Sequence, residues 1–181
     1  MRNSLELELL LTSSPPSSSL SVDAKLEVQS QGFLLSFEIT GKGVNQVLIN
    51  DRNPKPIRKK DLWKETCFEC FFGVGGTKNY FEFNGSSSGD WALYSFDDYR
   101  QGMKDVPVSA NPVMEKFEKS PSKIICVWRI PYFTKNIIQN ASFTAVIKTS
   151  ATSDEVSYWA LKHTGEKPDF HLRNSFIHRF I

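Results

Sequence analysis

The sequence predicts an all-β fold, an antiparallel β-sandwich of jelly-roll or immunoglobulin-like type with about ten strands, and three observations carry that expectation. Apolar residues recur at every second position along most of the chain, the period of a strand with one buried face. Clusters of Gly, Pro, Asn, Asp and Ser interrupt these runs at intervals too short for parallel crossovers. Aromatic residues make up 13% of the chain, with 14 Phe, and flat rings pack well on pleated surfaces.

The first strand sets Leu5, Leu7, Leu9 and Leu11 on one face. SSPPSSS at positions 13 to 19 has the composition of a linker. Strand-like sequence on both sides makes it a surface loop and not a domain boundary. VDAKLEVQ and FLLSFEIT follow, the second presenting Phe33, Leu35, Phe37 and Ile39 to one side. VNQVLIN reads as a further strand. The basic loop after it holds Arg52, Lys55, Arg58, Lys59 and Lys60; most of this charge belongs in solvent, and Arg58 is the one candidate ligand contact. Beyond the central block, MEKFEK at 114 to 119 and PYFTKNII are candidates for short helical turns. KIICVWRI, ASFTAVIKT, EVSYWALKH and SFIHRFI complete the strand set.

At 181 residues the chain is expected to form one domain spanning 1–181. A formal net charge of +2 is too small for the dense one-sided basic field that nucleic acid or a membrane surface calls for. No apolar run approaches the ~20 residues of a membrane helix, so a soluble protein is expected. Glu6 and Glu8 interrupt the apolar start where a signal peptide needs continuity, and the cysteines are an odd three, Cys67, Cys70 and Cys126. Both features point to a cytoplasmic protein.

The block from Leu62 to Met103 reads as three strands in an antiparallel meander joined by two Gly-rich turns. In CFECFF, Phe68, Cys70 and Phe72 share the core face, leaving Cys67, Glu69 and Phe71 on the other. The two CxxC sulfurs therefore diverge, and no metal is expected there. In NYFEFN, Phe81 and Phe83 point inward and Tyr80, Glu82 and Asn84 outward. If Phe72 stands opposite Asn79, Glu69 lies opposite Glu82; one pairing step either way sets it against Tyr80 or Asn84 instead. Continuing that register puts Asn84 opposite Trp91, which brings Trp91 beside the carboxylates and turns Tyr94 and Phe96 inward. An aromatic plate beside carboxylate, amide and guanidinium groups is the chemistry of sugar recognition: the ring covers the C–H face and charged hydrogen bonds orient the hydroxyls.

LWKETCFECF, YFEFNGSSSGDWALYSFDDYRQGM and YWALKHTGEKPDFH together resemble the DOMON-like domains related to family nine carbohydrate-binding modules. The likeness covers about a third of the chain, and Ser87 stands where the family usually has proline. The resemblance implies a jelly-roll sandwich and a non-catalytic, sugar-binding role. It places Trp63, Glu69, Glu82, Asn84, Trp91, Tyr99, Arg100, His163, Asp169 and His171 at motif positions. For Arg100 the competing reading is a bridge to Asp97, Asp98 or the glutamate pair.

The expected function is thus a carbohydrate-binding module with ligand contacts from Trp63, Glu69, Glu82, Asn84, Trp91, Tyr99, Arg100, His163 and His171, and with no catalytic residue, metal or cofactor. Other DOMON domains bind haem, so a haem module is one alternative, with Met103 or Met114 and a histidine as axial ligands. A protein-interaction domain is another. Glycosidase chemistry on Glu69 and Glu82 is disfavoured, because neighbours on one sheet face stand on one side of a sugar, not astride its bond. No phosphate loop, nucleophile elbow or HExxH is present.

Overall fold

The computed structural model describes residues 4–12, 20–149 and 156–180, with the backbone alone for 4–12. In chain order the strands are β1 (Ser4–Thr12), β2 (Leu20–Gln29), β3 (Gly32–Gly41), β4 (Cys67–Val74), β5 (Tyr80–Ser86) and β6 (Trp91–Phe96). β7 (Lys104–Asp105), β8 (Val113–Lys119), β9 (Lys123–Pro131), β10 (Ile138–Lys148), β11 (Val156–Ala160) and β12 (His178–Arg179) follow. Every ladder between them is antiparallel.

The strands form the two layers of a β-sandwich, as the alternating pattern predicts. One sheet runs β1-β2-β3-β9-β8, the other β7-β6-β5-β4-β10-β11-β1, with β12 added to β10. β1 joins both: its first part pairs with β2 and its end, Leu10 to Thr12, with β11. The interior is filled by Phe33, Leu35, Phe37 and Ile39 from one layer and Phe68, Cys70, Phe72 and Phe83 from the other. Aromatic pairs cross the gap, Phe33 to Phe72 at 5.0 Å and Phe37 to Phe68 at 5.1 Å between ring centroids. Trp128 of β9 packs on Phe83 at 5.3 Å and fills the space over Gly85, where an added Cβ would stand 2.5 Å from the indole. Gly85 is needed for that close approach.

Three local expectations are corrected. VNQVLIN is not a strand: Val44–Gln46 is a 3-10 turn that buries Val44 and Val47 in the core, three residues apart and on one side. MEKFEK is strand β8, not a helical turn. A bulge between Met114 and Lys116 sets Met114 opposite Trp128 and Phe117 opposite Cys126, so two core contacts fall three apart and imitate helical spacing. PYFTKNII is extended or irregular, with no helical turn. The leucine face of β1 and the SSPPSSS loop lie outside the described side chains and residues.

The central meander forms with a different register. β4 pairs with β5 as Glu69 to Asn84 and Phe71 to Glu82, the alternative shifted by one pairing step. Val74 pairs with Asn79 through its N–H, so the turn holds four residues, 75–78, instead of the six of GVGGTK, 73–78. β5 pairs with β6 as Asn84 to Ala92 and Gly85 to Trp91. There the Ser86 N–H donates to the Asp90 carbonyl and Gly89 has φ +97°, a three-residue loop of the kind that ends in a left-handed glycine. An odd loop reverses the faces of β6. Trp91 and Leu93 therefore enter the inter-sheet core, while Ala92, Tyr94 and Phe96 face outward beside Glu82.

Trp91 is accordingly a core residue, only 2% exposed, and not a ligand platform. Arg58 belongs to the same structural feature. Its guanidinium lies 4.5 Å over the Trp91 ring, donates to the Val106 and Leu93 carbonyls at 2.6 and 3.3 Å, and pairs with Asp105 at 3.6 Å. It clamps the basic loop to the sheet edge.

Candidate functional site

The outer face of the second sheet is covered. Leu62, Cys67, Phe71, Tyr80, Ala92, Tyr94, Phe96, Val146 and Phe176 form a second apolar cluster. It is roofed on one side by the 3-10 turn Leu62–Lys64 and on the other by the segment around Phe170, His171 and Phe176. Polar residues that alternation directs outward are thereby buried: Glu69 is 3%, Glu82 7% and Asn84 2% exposed.

Two adjoining cavities open between this sheet face and its cover, of about 240 and 410 Å3. Trp63, Glu82, Arg100 and His171 line both. The inner one adds Glu69, Phe71, Tyr158 and Phe170; the outer adds Lys60, Asp61, Asn84, Tyr94 and Met103. The larger volume falls within the roughly 300–1,000 Å3 typical of small-molecule sites. Trp63 stands at both cavities with 54% of its surface exposed.

The acidic floor is held by the sheet. Thr144 Oγ1 of β10 donates to Glu69 Oε2 at 2.9 Å, and Asn84 Nδ2 donates to Glu82 Oε1 at 2.6 Å. Cys67 Sγ lies 3.7 Å from Asn84 Oδ1. Burial pushes the Glu82 carboxyl up to about 7, against the Asn84 hydrogen bond and the Arg100 charge. Burial, and then the Glu82 charge, push Glu69 up to about 8, against hydrogen bonds from Thr144 and Cys67. Both carboxyl groups therefore hold their protons to higher pH than free ones, and the pair titrates as a unit.

His171 closes one wall. Its ring meets those of Phe71, Phe96 and Tyr80 edge-on at 5.2, 5.2 and 5.8 Å. Burial, reinforced by Arg100, lowers its pKa to about 4. It is neutral near pH 7, so its 3.8 Å approach to Glu82 Oε2 through Nε2 is neither an ion pair nor a hydrogen bond. The Tyr80 hydroxyl oxygen accepts the Arg100 N–H at 3.2 Å and lies 2.8 Å from His171 Nδ1. Its proton is best placed on the bond to Nδ1, which leaves the imidazole N–H on Nε2, beside Glu82.

Arg100 is fixed by the turn that carries it. Its φ of +51° lies in the left-handed region, a costly conformation for a long side chain. The Tyr80 bond to its N–H and the Asp169 carboxylate hold it there. Asp169 Oδ1 takes Arg100 Nη2 at 3.0 Å and the His171 N–H at 3.1 Å, while Oδ2 takes the Tyr99 hydroxyl. Burial opposes the Asp169 charge, but the Tyr99, His171 and Arg100 hydrogen bonds outweigh it and keep the pKa below the usual carboxylate range.

The fold thus brings Trp63, Glu69, Glu82, Asn84, Arg100 and His171 to the two cavities. Tyr99 lines neither and anchors Asp169. His163 lines neither; its ring lies 6.1 Å from Phe170, a wall residue, because the chain turns at 164–167 before reaching the site. Tyr80, Tyr94, Phe96, Thr144 and Phe170 are site residues that the sequence reading missed. Of these, alternation places Tyr80 on the right face, and Thr144 carries a signal as a polar residue within the otherwise apolar FTAVI of β10. Met114 packs in the inter-sheet core with Cys126 Sγ 3.4 Å from its sulfur. All three cysteines are buried and unbridged, and Cys67 and Cys70 point to opposite faces as strand geometry requires. Among the described residues no cluster of three or more His, Cys, Asp or Glu could hold a metal ion. No helix there is long and apolar enough to cross a membrane.

No family model matches the chain, and no curated protein matches it. Among solved structures, it is similar to a candidate carbohydrate-binding protein from Bacteroides uniformis ATCC 8492, at 11% identity and a TM-score of 0.65 over 97% of this chain and 84% of that one. A weaker likeness is to a family 9 carbohydrate-binding module from Caldicellulosiruptor kristjanssonii in complex with cellotriose, at 13% identity and a TM-score of 0.43 over 86% and 72%. At such identities, likeness over nearly the whole chain establishes the fold alone: this chain is a β-sandwich of the kind seen in the Bacteroides protein.

Proposed function

We propose that the protein is a non-catalytic module that binds a carbohydrate in the paired cavities under Trp63. The observation that carries this reading is the combination at one cavity of an exposed indole, Trp63, and two buried carboxyl groups, Glu69 and Glu82, whose burial raises their pKa values. Such a pair offers a sugar ring an O–H donor and carboxylate acceptors together, and His171 adds an N–H. Trp63, with Tyr158 and Phe170, supplies surface for the C–H face. The sandwich likeness to a candidate carbohydrate-binding protein agrees with this reading, and so does the resemblance of the central motifs to DOMON-like domains.

The lack of catalysis is part of the proposal. Glu69 and Glu82 both rise from the sheet floor, diagonal across β4 and β5, so a bound ring meets them on one side, whereas glycosidases flank the scissile bond. Calorimetry against a panel of neutral mono- and disaccharides tests the binding. Affinity should fall at least tenfold in Trp63→Ala and Glu82→Gln variants, and aryl glycosides should not be hydrolysed. Failure of every sugar to bind, or undiminished affinity in both variants, overturns the reading.

A further inference from the structure

We propose that the inner cavity is selective for a ligand carrying a protonated amine, in the sugar reading an unacetylated amino sugar, whose ammonium seats against Glu69 and Glu82. This deepens the carbohydrate assignment and rests on it. Glu69 and Glu82 line the inner cavity with Arg100, a fixed guanidinium. That guanidinium is already bonded to Asp169 at 3.0 Å, leaving the pair on the floor short of a cation.

Glu82 is nine-tenths buried and faces both cavities. Its Oε1 is taken by Asn84, while no hydrogen bond to Oε2 is found among the described residues, His171 Nε2 standing 3.8 Å from it. A buried carboxylate oxygen turned into a cavity without a donor is a costly arrangement unless a ligand completes it. A neutral hydroxyl satisfies its hydrogen bond. An ammonium satisfies the bond and the charge together.

Seating an ammonium displaces a proton the pair otherwise holds. The other groups facing the pair are Cys67 on β4, Tyr80 on β5, Tyr94 on β6 and Tyr158 on β11, with Asp61, Lys60, Arg100, Asp169 and His171 from the loops. The thiol and the Tyr80 and Tyr94 phenols are raised, and His171 is lowered to about 4. Lys60 and Asp61 stand at the outer cavity only. The carboxyl pair is thus the group that changes charge between about pH 6 and pH 8.

The test is calorimetry of the full chain at about pH 7 with glucosamine, galactosamine and mannosamine, each beside its parent hexose and its N-acetyl form. The amine should bind at least tenfold tighter than both, and the Glu69→Gln, Glu82→Gln double variant should erase that advantage. Benzylamine against benzyl alcohol makes the same comparison without a sugar. Benzylamine affinity should rise several-fold from about pH 6 to pH 8, with the proton given up by the pair. If hexoses bind and the amines bind no better, or the preference survives in the double variant, the amine inference falls and the carbohydrate reading stands. If benzylamine is preferred and no sugar binds, the amine inference stands and the carbohydrate reading falls.

Discussion

Replacing Glu69 by Gln should make the protein more stable above neutral pH and leave it nearly unchanged in mild acid. Gln keeps the shape, and its carbonyl oxygen can accept from Thr144 Oγ1 as Glu69 Oε2 does now at 2.9 Å. What it removes is an ionisation. The folded chain holds the Glu69 proton up to about pH 8, whereas the ordinary value is 4.5. Across that window the folded state binds a proton that the unfolded state has lost, so raising pH favours unfolding. The stability associated with this group is fully present below 4.5 and is lost as pH rises through 8. At ~1.4 kcal/mol per pH unit, the wild-type stability minus that of the variant should fall by up to about 4 kcal/mol between pH 5 and pH 8. Taking the difference cancels the His171 titration, while any change in the Glu82 titration, which is linked to that of Glu69, is part of what it reads. Glu82 shifts the same way, with a folded value of about 7, and His171 the opposite way, losing stability as pH falls from 6.5 toward 4. Urea unfolding of both proteins at several pH values measures it. A difference that is flat with pH, or one that grows in favour of the wild type toward pH 8, would refute the idea that Glu69 is a desolvated acid facing Glu82.

Gly85→Ala should cost ~1–3 kcal/mol in urea unfolding, since its methyl would stand 2.5 Å from the Trp128 ring. Arg58→Met should destabilise by a similar ~1–3 kcal/mol through the stranded Val106 carbonyl, the Leu93 carbonyl keeping its bond from the Val106 N–H at 3.0 Å, while calorimetry shows ligand affinity unchanged. Tyr80→Phe should remove the donor at His171 Nδ1 and the acceptor at the Arg100 N–H. Nitrogen NMR of the imidazole should then change from the single Nε2–H tautomer to a mixture, and stability should drop by ~1–2 kcal/mol.

The faces of the central strands were legible where parity alone decides them. The β4–β5 register differs from the first expectation by one full pairing step, yet Glu69, Glu82 and Asn84 still share a face. A turn of four residues, 75–78, in place of the six of GVGGTK moves every pair by an even count. At the next hairpin the same reasoning failed by a single residue. NGSSSGDW can close on two residues or on three, and Gly89 at φ +97° selects three. That one residue exchanged Trp91 for Tyr94 and Phe96 on the site face. The error lay in loop chemistry, not in the strand pattern.

Burial was the larger gap. Alternation marks Glu69, Glu82 and Asn84 as outward, and outward on a sandwich ordinarily means solvated. Their burial is decided by distant residues: the Leu62–Lys64 turn, and the segment carrying Asp169, Phe170 and His171, which Arg100 and Tyr80 tie down. No local period could reveal that cover. It is the cover that removes water from the carboxyl pair, raises both pKa values, holds His171 neutral and leaves a cavity lined by the Trp63 indole and the acid pair. A surface coded as polar and then roofed by a remote part of the same chain becomes chemically selective, because its unmet hydrogen bonds and charge must be completed by whatever enters.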